Sequence, residues 1–297
     1  MLNKLPNLLI VGAAKSGTTS LHNYLNQHPD IFMSSHKEPH FLINKEIGEK
    51  RIPNGIINIE EYSQLFKGYS NKKYRGESSV MYLLFPEITI ANIKKYLSDD
   101  VKIIIMLRNP VERAYSGYQH VKRYNTMELL SFKDAVEKSE NRYFKNKNMT
   151  PASRYLELGM YYDQVKEFSE AFTNIHVIIY DAYKADFNSE LQKVFKFLEI
   201  DSVVIDAEEK YMVGGWQWKN EWLKHLMIKK NLFKSIVKLL VPFKKLRKWI
   251  RVLIQHKNTI KVNAIDLNTE QWLKTYYKGD VEKLSKLLDV ELNHWTK

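Results

Sequence analysis

The stretch Gly12-Ala13-Ala14-Lys15-Ser16-Gly17-Thr18-Thr19-Ser20 joins small residues, hydroxyls and one lysine. It follows the apolar run Leu8-Leu9-Ile10-Val11 and precedes a helical pattern from Thr18 through Leu25. A strand, a small-residue loop and a helix turn backbone N–H groups and a helix N-terminus toward one point, which favours an anion. A Walker A loop sets its lysine directly after the last glycine and follows it with a magnesium-binding hydroxyl. Here Thr18 follows Gly17, and Lys15 precedes that glycine by two positions. A lysine in the crown of the loop points at the bridging oxygen of a 5′-linked anhydride rather than lying along a triphosphate.

Two further windows carry chemistry. Val101 to Leu107 is β-branched in its middle and ends at Arg108-Asn109-Pro110, with Ser116 eight residues beyond Arg108. A forked guanidinium and a hydroxyl suit one phosphate. A P-loop kinase would set a magnesium-binding aspartate at such a strand end, and arginine stands there instead. In Lys37-Glu38-Pro39-His40 an extended chain would project Glu38 and His40 to the same side. A carboxylate beside an imidazole can take a proton from an attacking hydroxyl or amine.

These windows together resemble the sulfotransferases that use 3′-phosphoadenosine 5′-phosphosulfate (PAPS), most of all the heparan-sulfate N- and O-sulfotransferases and their bacterial relatives. The resemblance implies that Lys15, Ser16, Gly17, Thr18, Thr19 and Ser20 hold the 5′-phosphosulfate, and that Arg108 and Ser116 hold the 3′-phosphate. It implies Glu38 as catalytic base, with His40 and Lys15 as its catalytic partners. PAPS would be the donor and the 3′,5′-bisphosphate the product, with no metal required. The chain departs from the pattern twice. Ser78, in Gly76-Glu77-Ser78, stands where many relatives carry lysine. Met212 and Val213 precede Gly214 and Gly215, in the place of the family's loop over adenine and the 3′-phosphate. Lys219 or Lys210 is then expected to supply the missing charge there.

The elements that must position these groups alternate. Strand candidates at 8–11, 74–78, 101–107 and 176–180 lie among helical patterns at 88–97, 111–124, 131–139, 161–172 and 189–198, and a helical stretch runs over 269–288. Alternation implies a P-loop-like three-layer α/β/α fold with a central parallel sheet. We expect a single domain over 1–297 with a basic amphipathic helical insertion at about 221–260. Its segment 224–251 interleaves Lys and Arg with Leu, Ile, Phe and Trp around Pro242, a pattern for an anionic membrane surface or for packing on the core.

A formal net charge of +12 favours anionic partners, and the absence of cysteine excludes thiolate chemistry and disulfides. The start of the chain fits neither a signal peptide nor a spanning helix, so a cytoplasmic bacterial enzyme is expected, peripheral at the inner membrane face if 224–251 meets lipid. The expected acceptor is a glycan or a lipid-linked sugar, with no nucleic-acid partner. Two other readings share these features: a P-loop nucleotide kinase or NTPase, and a non-catalytic binder of anionic polymer.

Overall fold

The computed structural model describes residues 5–125, 128–207, 215–228 and 257–297, together with 243, 246, 247, 252 and 254. Strands β1 (Leu8–Gly12), β2 (Ile31–Met33), β3 (Tyr74–Ser78), β4 (Lys102–Leu107) and β5 (Ile175–Ile179) form one sheet in the order β2-β3-β1-β4-β5. Every pairing in it is parallel, so each strand needs a crossover, and helices occupy those connections. The expected three-layer architecture is the one observed.

The sheet separates two apolar clusters, and strand alternation explains which residue enters which. Leu9, Val11, Ile103, Ile105 and Leu107 face the larger cluster. Leu8, Ile10, Ile104 and Met106 face the smaller one, against α1 (Thr18–Leu25) and the later helix Phe187–Phe197. The central strands are covered on both faces, which is why β1 and β4 read as continuous apolar runs.

On the larger side lie α2 (Phe41–Ile47), α3 (Ile59–Gln64), α4 (Pro86–Tyr96), α5 (Pro110–Tyr124) and α6 (Phe132–Glu137), with α7 (Ser139–Lys145) beside α6, and then α8 (Tyr161–Ala171). The smaller side adds α9 (Tyr180–Ala185) and α10 (Phe187–Phe197). Beyond β6 (Trp216–Trp218), α11 (Glu221–Ile228) and β7 (Thr259–Lys261), the long helix α12 (Leu267–Leu288) packs on α8 and α5. Leu273, Tyr277, Val281 and Leu284 form its buried stripe, at helical spacing. Asp280 fixes the register of this packing: its carboxylate accepts from the N–H groups of Tyr161 (2.9 Å) and Tyr162 (3.2 Å), which begin α8.

The insertion differs from expectation at its far end. Residues 259–261 are strand, not helix, because β7 pairs antiparallel with β6 and closes the excursion at its stem. Lys224, expected on a basic surface, is buried and paired with Glu221 at 2.9 Å. Most of 229–256 lies outside the described residues, as do Lys210, Met212, Val213 and Gly214.

Candidate active site

The site lies at the C-terminal ends of β1, β3 and β4. Residues 13–17 link β1 to α1, and the Ala13 N–H donates to the Met106 carbonyl at 2.7 Å, which ties the loop to the end of β4. Among the described residues, no backbone carbonyl takes up the N–H groups of residues 14–19. They remain available for a ligand at the head of α1. Gly17 begins that helix with φ 92°, and a Cβ there would stand 3.1 Å from the Tyr180 ring, so both the turn and the close approach require glycine.

Lys15 is part of a crowded positive centre. Burial, with Arg123, Arg108 and Lys37 nearby, lowers its pKa to about 8, against the opposing pull of Glu38. Such an ammonium lacks a full counter-charge and gains when an anion arrives.

Helix α5 supplies the second set of groups. Asn109 caps it, accepting from Val111 N–H at 3.0 Å, and Pro110 occupies its first turn. Arg108, just before the cap, bonds Glu112 through Nη2 (2.7 Å) and Nε (3.1 Å), and its guanidinium lies 5.0 Å from the centre of the Tyr180 ring. Ser116, Gln119, His120 and Arg123 follow on the cleft-facing side of the helix. Burial, then Lys15 and Arg123, lower the His120 imidazole to about 4, so it is neutral near pH 7, and its Nδ1 has no hydrogen-bond partner among the described residues.

Glu38 and His40 meet, but not by the extended geometry expected from the sequence. Both have left-handed backbones, φ 61° and 50°, and the turns between them bring His40 Nε2 to 3.5 Å from Glu38 Oε2. Lys37 Nζ lies 2.9 Å from the other carboxylate oxygen. Burial alone would raise the Glu38 carboxyl, yet the imidazole and the ammonium hold it well below the usual carboxylate range. Its side chain retains 38% exposure, so solvent moderates that pull.

Beneath it, the Glu38 N–H donates to the Ser78 carbonyl (3.0 Å) and the His40 N–H to Ser79 Oγ (3.0 Å). Ser79 in turn donates to the buried Glu77 at 2.8 Å, which also accepts from Tyr82 (2.6 Å) and Tyr62 (3.1 Å). Three hydroxyl donors satisfy a carboxylate whose pKa burial raises, and the same network fixes the base-bearing turn. Ser78 Oγ sits 2.8 Å from Nδ1 of His22, whose pKa burial and Lys37 lower to about 4.

One cleft of about 870 Å³ has Lys15, Thr18, Thr19, Ser20, Glu38, Arg108, Ser116 and Gly215 in its wall. Tyr24, Tyr180, Tyr183 and Phe187 form an aromatic flank to it. Ser16 is buried beneath the loop, and His40 lies behind Glu38. Lys219 is outside the cleft lining; its N–H donates to the Asn258 carbonyl at 2.8 Å. Trp216 and Trp218 pack on the end of α5: Arg123 donates to the Trp216 carbonyl, and the Trp218 indole donates to the Arg123 carbonyl.

The sulfotransferase domain family matches residues 5–231. The chain belongs to that family. A crystal structure of a sulfotransferase from Alicyclobacillus acidocaldarius is similar over 98% of this chain and 99% of its own, with 27% identity and a TM-score of 0.74. Carbohydrate sulfotransferase 15 of Mus musculus is 25% identical over 249 residues, which cover 67% of this chain and 44% of that protein. Heparan sulfate glucosamine 3-O-sulfotransferase 5 of Mus musculus is 27% identical over 208 residues, covering 67% and 55% respectively. The chain thus spans about half the length of such curated relatives.

Sequence reading of this sulfotransferase-family chain missed His120, Arg123 and the aromatic flank. A signal was present: Ser116, His120 and Arg123 recur at the spacing of one helix face. Tyr180, Tyr183 and Phe187 likewise recur directly after β5.

Proposed function

We propose that the protein transfers a sulfuryl group from PAPS to a hydroxyl or amine of a glycan or lipid-linked sugar. The single cleft carries this reading, because it unites two anion sites, an aromatic flank and a carboxylate paired with an imidazole. The loop amides and Lys15 suit the 5′-phosphosulfate, Arg108 and Ser116 suit the 3′-phosphate, and the rings between them suit adenine. The cleft volume of about 870 Å³ is ample for a nucleotide beside an acceptor.

In the transfer, the acceptor oxygen or nitrogen attacks sulfur as the bond from sulfur to the bridging phosphate oxygen breaks. Lys15 and the loop amides stabilise the negative charge that develops on that oxygen. Glu38 accepts the acceptor proton, with His40 holding the carboxylate in place. The neutral imidazole of His120 is placed to hydrogen-bond the acceptor. Lys37 and Arg123 favour an acidic chain, and the names of the carbohydrate and heparan-sulfate relatives support a glycan.

The full 1–297 chain is read as one domain, supported by the packing of α12 across α5 and α8. The bacterial reading is supported by the likeness to the Alicyclobacillus structure over almost the whole chain. A cytoplasmic setting is compatible with a fold that uses no disulfide. Among the described residues no helix is long and apolar enough to cross a membrane. Peripheral contact with anionic lipid through 224–251 is supported by the exposed Phe243 and Leu246.

Thermal stabilisation by adenosine 3′,5′-bisphosphate, together with label transfer from labelled PAPS to members of a glycan panel, tests the proposal. Stabilisation by ATP with magnesium alone would instead favour the kinase reading, and polymer binding without donor binding the non-catalytic one.

A further inference from the structure

A second cavity, of about 280 Å³, shares two walls with the active-site cleft but uses other residues of each. On α5 it takes Val121, and Asn125 just past the helix end, whereas the cleft takes Gln119, His120 and Arg123. On the turn Pro151–Ser153 it takes Ser153, whereas the cleft takes Ala152. The exposed Tyr124, near the end of α5, packs against His120 at 4.9 Å.

The chemistry of the two hollows differs. Cations crowd the cleft, whereas the charged floor of the cavity is closed on itself. Arg142 Nη1 bonds both carboxylate oxygens of buried Glu128 at 3.1 Å, and the Tyr155 hydroxyl donates to Glu128 at 2.8 Å. The remaining lining is dominated by Asn125, Asn141, Asn146, Asn148, Thr150 and Ser153, with Lys145 exposed beside them. Amide side chains offer a donor and an acceptor on one group, which matches hydroxyls and acetamides.

The loop bearing these groups is braced before any ligand arrives. Arg51 donates to the carbonyls of Tyr143 (3.1 Å) and Met149 (3.3 Å) and stacks 3.7 Å from the centre of the Tyr143 ring. Asn148 N–H donates to Asn146 Oδ1 at 2.9 Å, and Ser153 Oγ donates to the Thr150 carbonyl at 2.7 Å. A pre-formed polar hollow loses little ordering entropy on binding.

We infer that this cavity is a subsite for one neutral sugar residue of a longer acceptor whose sulfated residue sits at Glu38. The inference rests on the glycan reading given under Proposed function. Anionic units of the acceptor are held in the cleft and a neutral unit in the cavity. The enzyme thereby reads a pattern of charge along the acceptor rather than one sugar alone.

The test uses the full chain, N-acetylglucosamine and a neutral tetrasaccharide of it. On titration, the side-chain amide resonances of Asn141, Asn146 and Asn148 should shift. The double variant Asn141→Ala/Asn148→Ala, altered only at exposed positions, should bind the tetrasaccharide about ten-fold more weakly. Its affinity for adenosine 3′,5′-bisphosphate should match the wild type. Unmoved asparagine amides, or equal tetrasaccharide affinity in the double variant, would overturn the subsite. Failure of the bisphosphate to bind the wild type overturns the donor reading instead, since the sugar titration is made without donor.

Discussion

Nε2 of His40 stands 3.5 Å from Oε2 of Glu38 although two left-handed residues, not an extended chain, carry them there. Each non-glycine left-handed residue costs about 1 kcal/mol or more, and the Ser78 and Ser79 bonds beneath offset that cost. A carboxylate held this way is ionised and aimed. In Glu38→Gln, turnover is expected to fall by about 10²–10⁴-fold. Affinity for adenosine 3′,5′-bisphosphate, measured by calorimetry, should stay within about two-fold because the base does not hold the donor. A variant retaining near-normal turnover would remove Glu38 from this role.

Arg108 is engaged by Glu112. Arg108→Ala should weaken bisphosphate binding by about 10–100-fold, the usual worth of charge-assisted hydrogen bonds. Glu112→Gln should strengthen it by about two- to five-fold, because an exposed competing ion pair is worth under about 1 kcal/mol. If Glu112→Gln weakens binding, the carboxylate orients Arg108 rather than competing for it.

Lys15 gives a pH signature. Its pKa is about 8 in the folded chain against the ordinary 10.5. Between those values the unfolded chain holds a proton that the folded chain has lost, so this group makes stability rise with pH across that window. Below it, the buried ammonium costs on the order of 3 kcal/mol. Lys15→Met should therefore melt higher than wild type at pH 7, with the gap narrowing as pH rises through 8 to 10.5. The same variant should lose most bisphosphate stabilisation. Parallel melting curves at all pH values would contradict the assignment.

Asp280 behaves in the opposite sense. Burial raises its pKa to about 6 despite the bonds from Tyr162 and Tyr161, so the folded chain holds a proton here that the unfolded chain releases near 4. The stability it contributes is fully present below about 4 and is lost as pH rises through 6. Asp280→Asn should abolish that component of the melting profile while keeping an acceptor at the head of α8. Asp280→Ala should cost about 1 kcal/mol more than Asp280→Asn near pH 7, through loss of the cap.

Lipid contact by 224–251 has a direct check. Co-sedimentation with vesicles should increase with the fraction of anionic lipid and fall with salt. Binding indifferent to both would dismiss a membrane role for the segment.

Local chemistry was legible in the sequence where it depended on neighbours along the chain. The anion loop, the arginine at the end of β4 and the apolar strands β1 and β4 needed only adjacent residues to be read. β3 was faint because Tyr74-Arg75-Gly76-Glu77-Ser78 is polar yet wholly buried. Several of its partners are remote: Arg75 donates to the Leu5 carbonyl at 3.2 Å, and one of the hydroxyls on Glu77 comes from α3. No local pattern announces such satisfaction. His120 and Arg123 were missed for a related reason, since helix periodicity says which residues share a face but not that the face looks into the cleft. The left-handed turns at Glu38 and His40 depend on bonds to the end of β3, and an isolated reading of that segment defaults to an extended chain.

Arg123 bonds the Trp216 carbonyl from Nε (3.1 Å) and Nη2 (2.6 Å), its guanidinium lies 4.2 Å from the centre of the Trp216 ring, and its own carbonyl accepts from Trp218. One residue thus fastens the stem of the 219–258 excursion to the helix that bears Ser116 and His120. The stem cannot shift without loading that helix, and a charge arriving near Lys15 acts on the guanidinium that holds the stem. The cleft wall and the stem of the excursion thus share one side chain, Arg123. Any free-energy coupling that results is reciprocal by thermodynamic necessity.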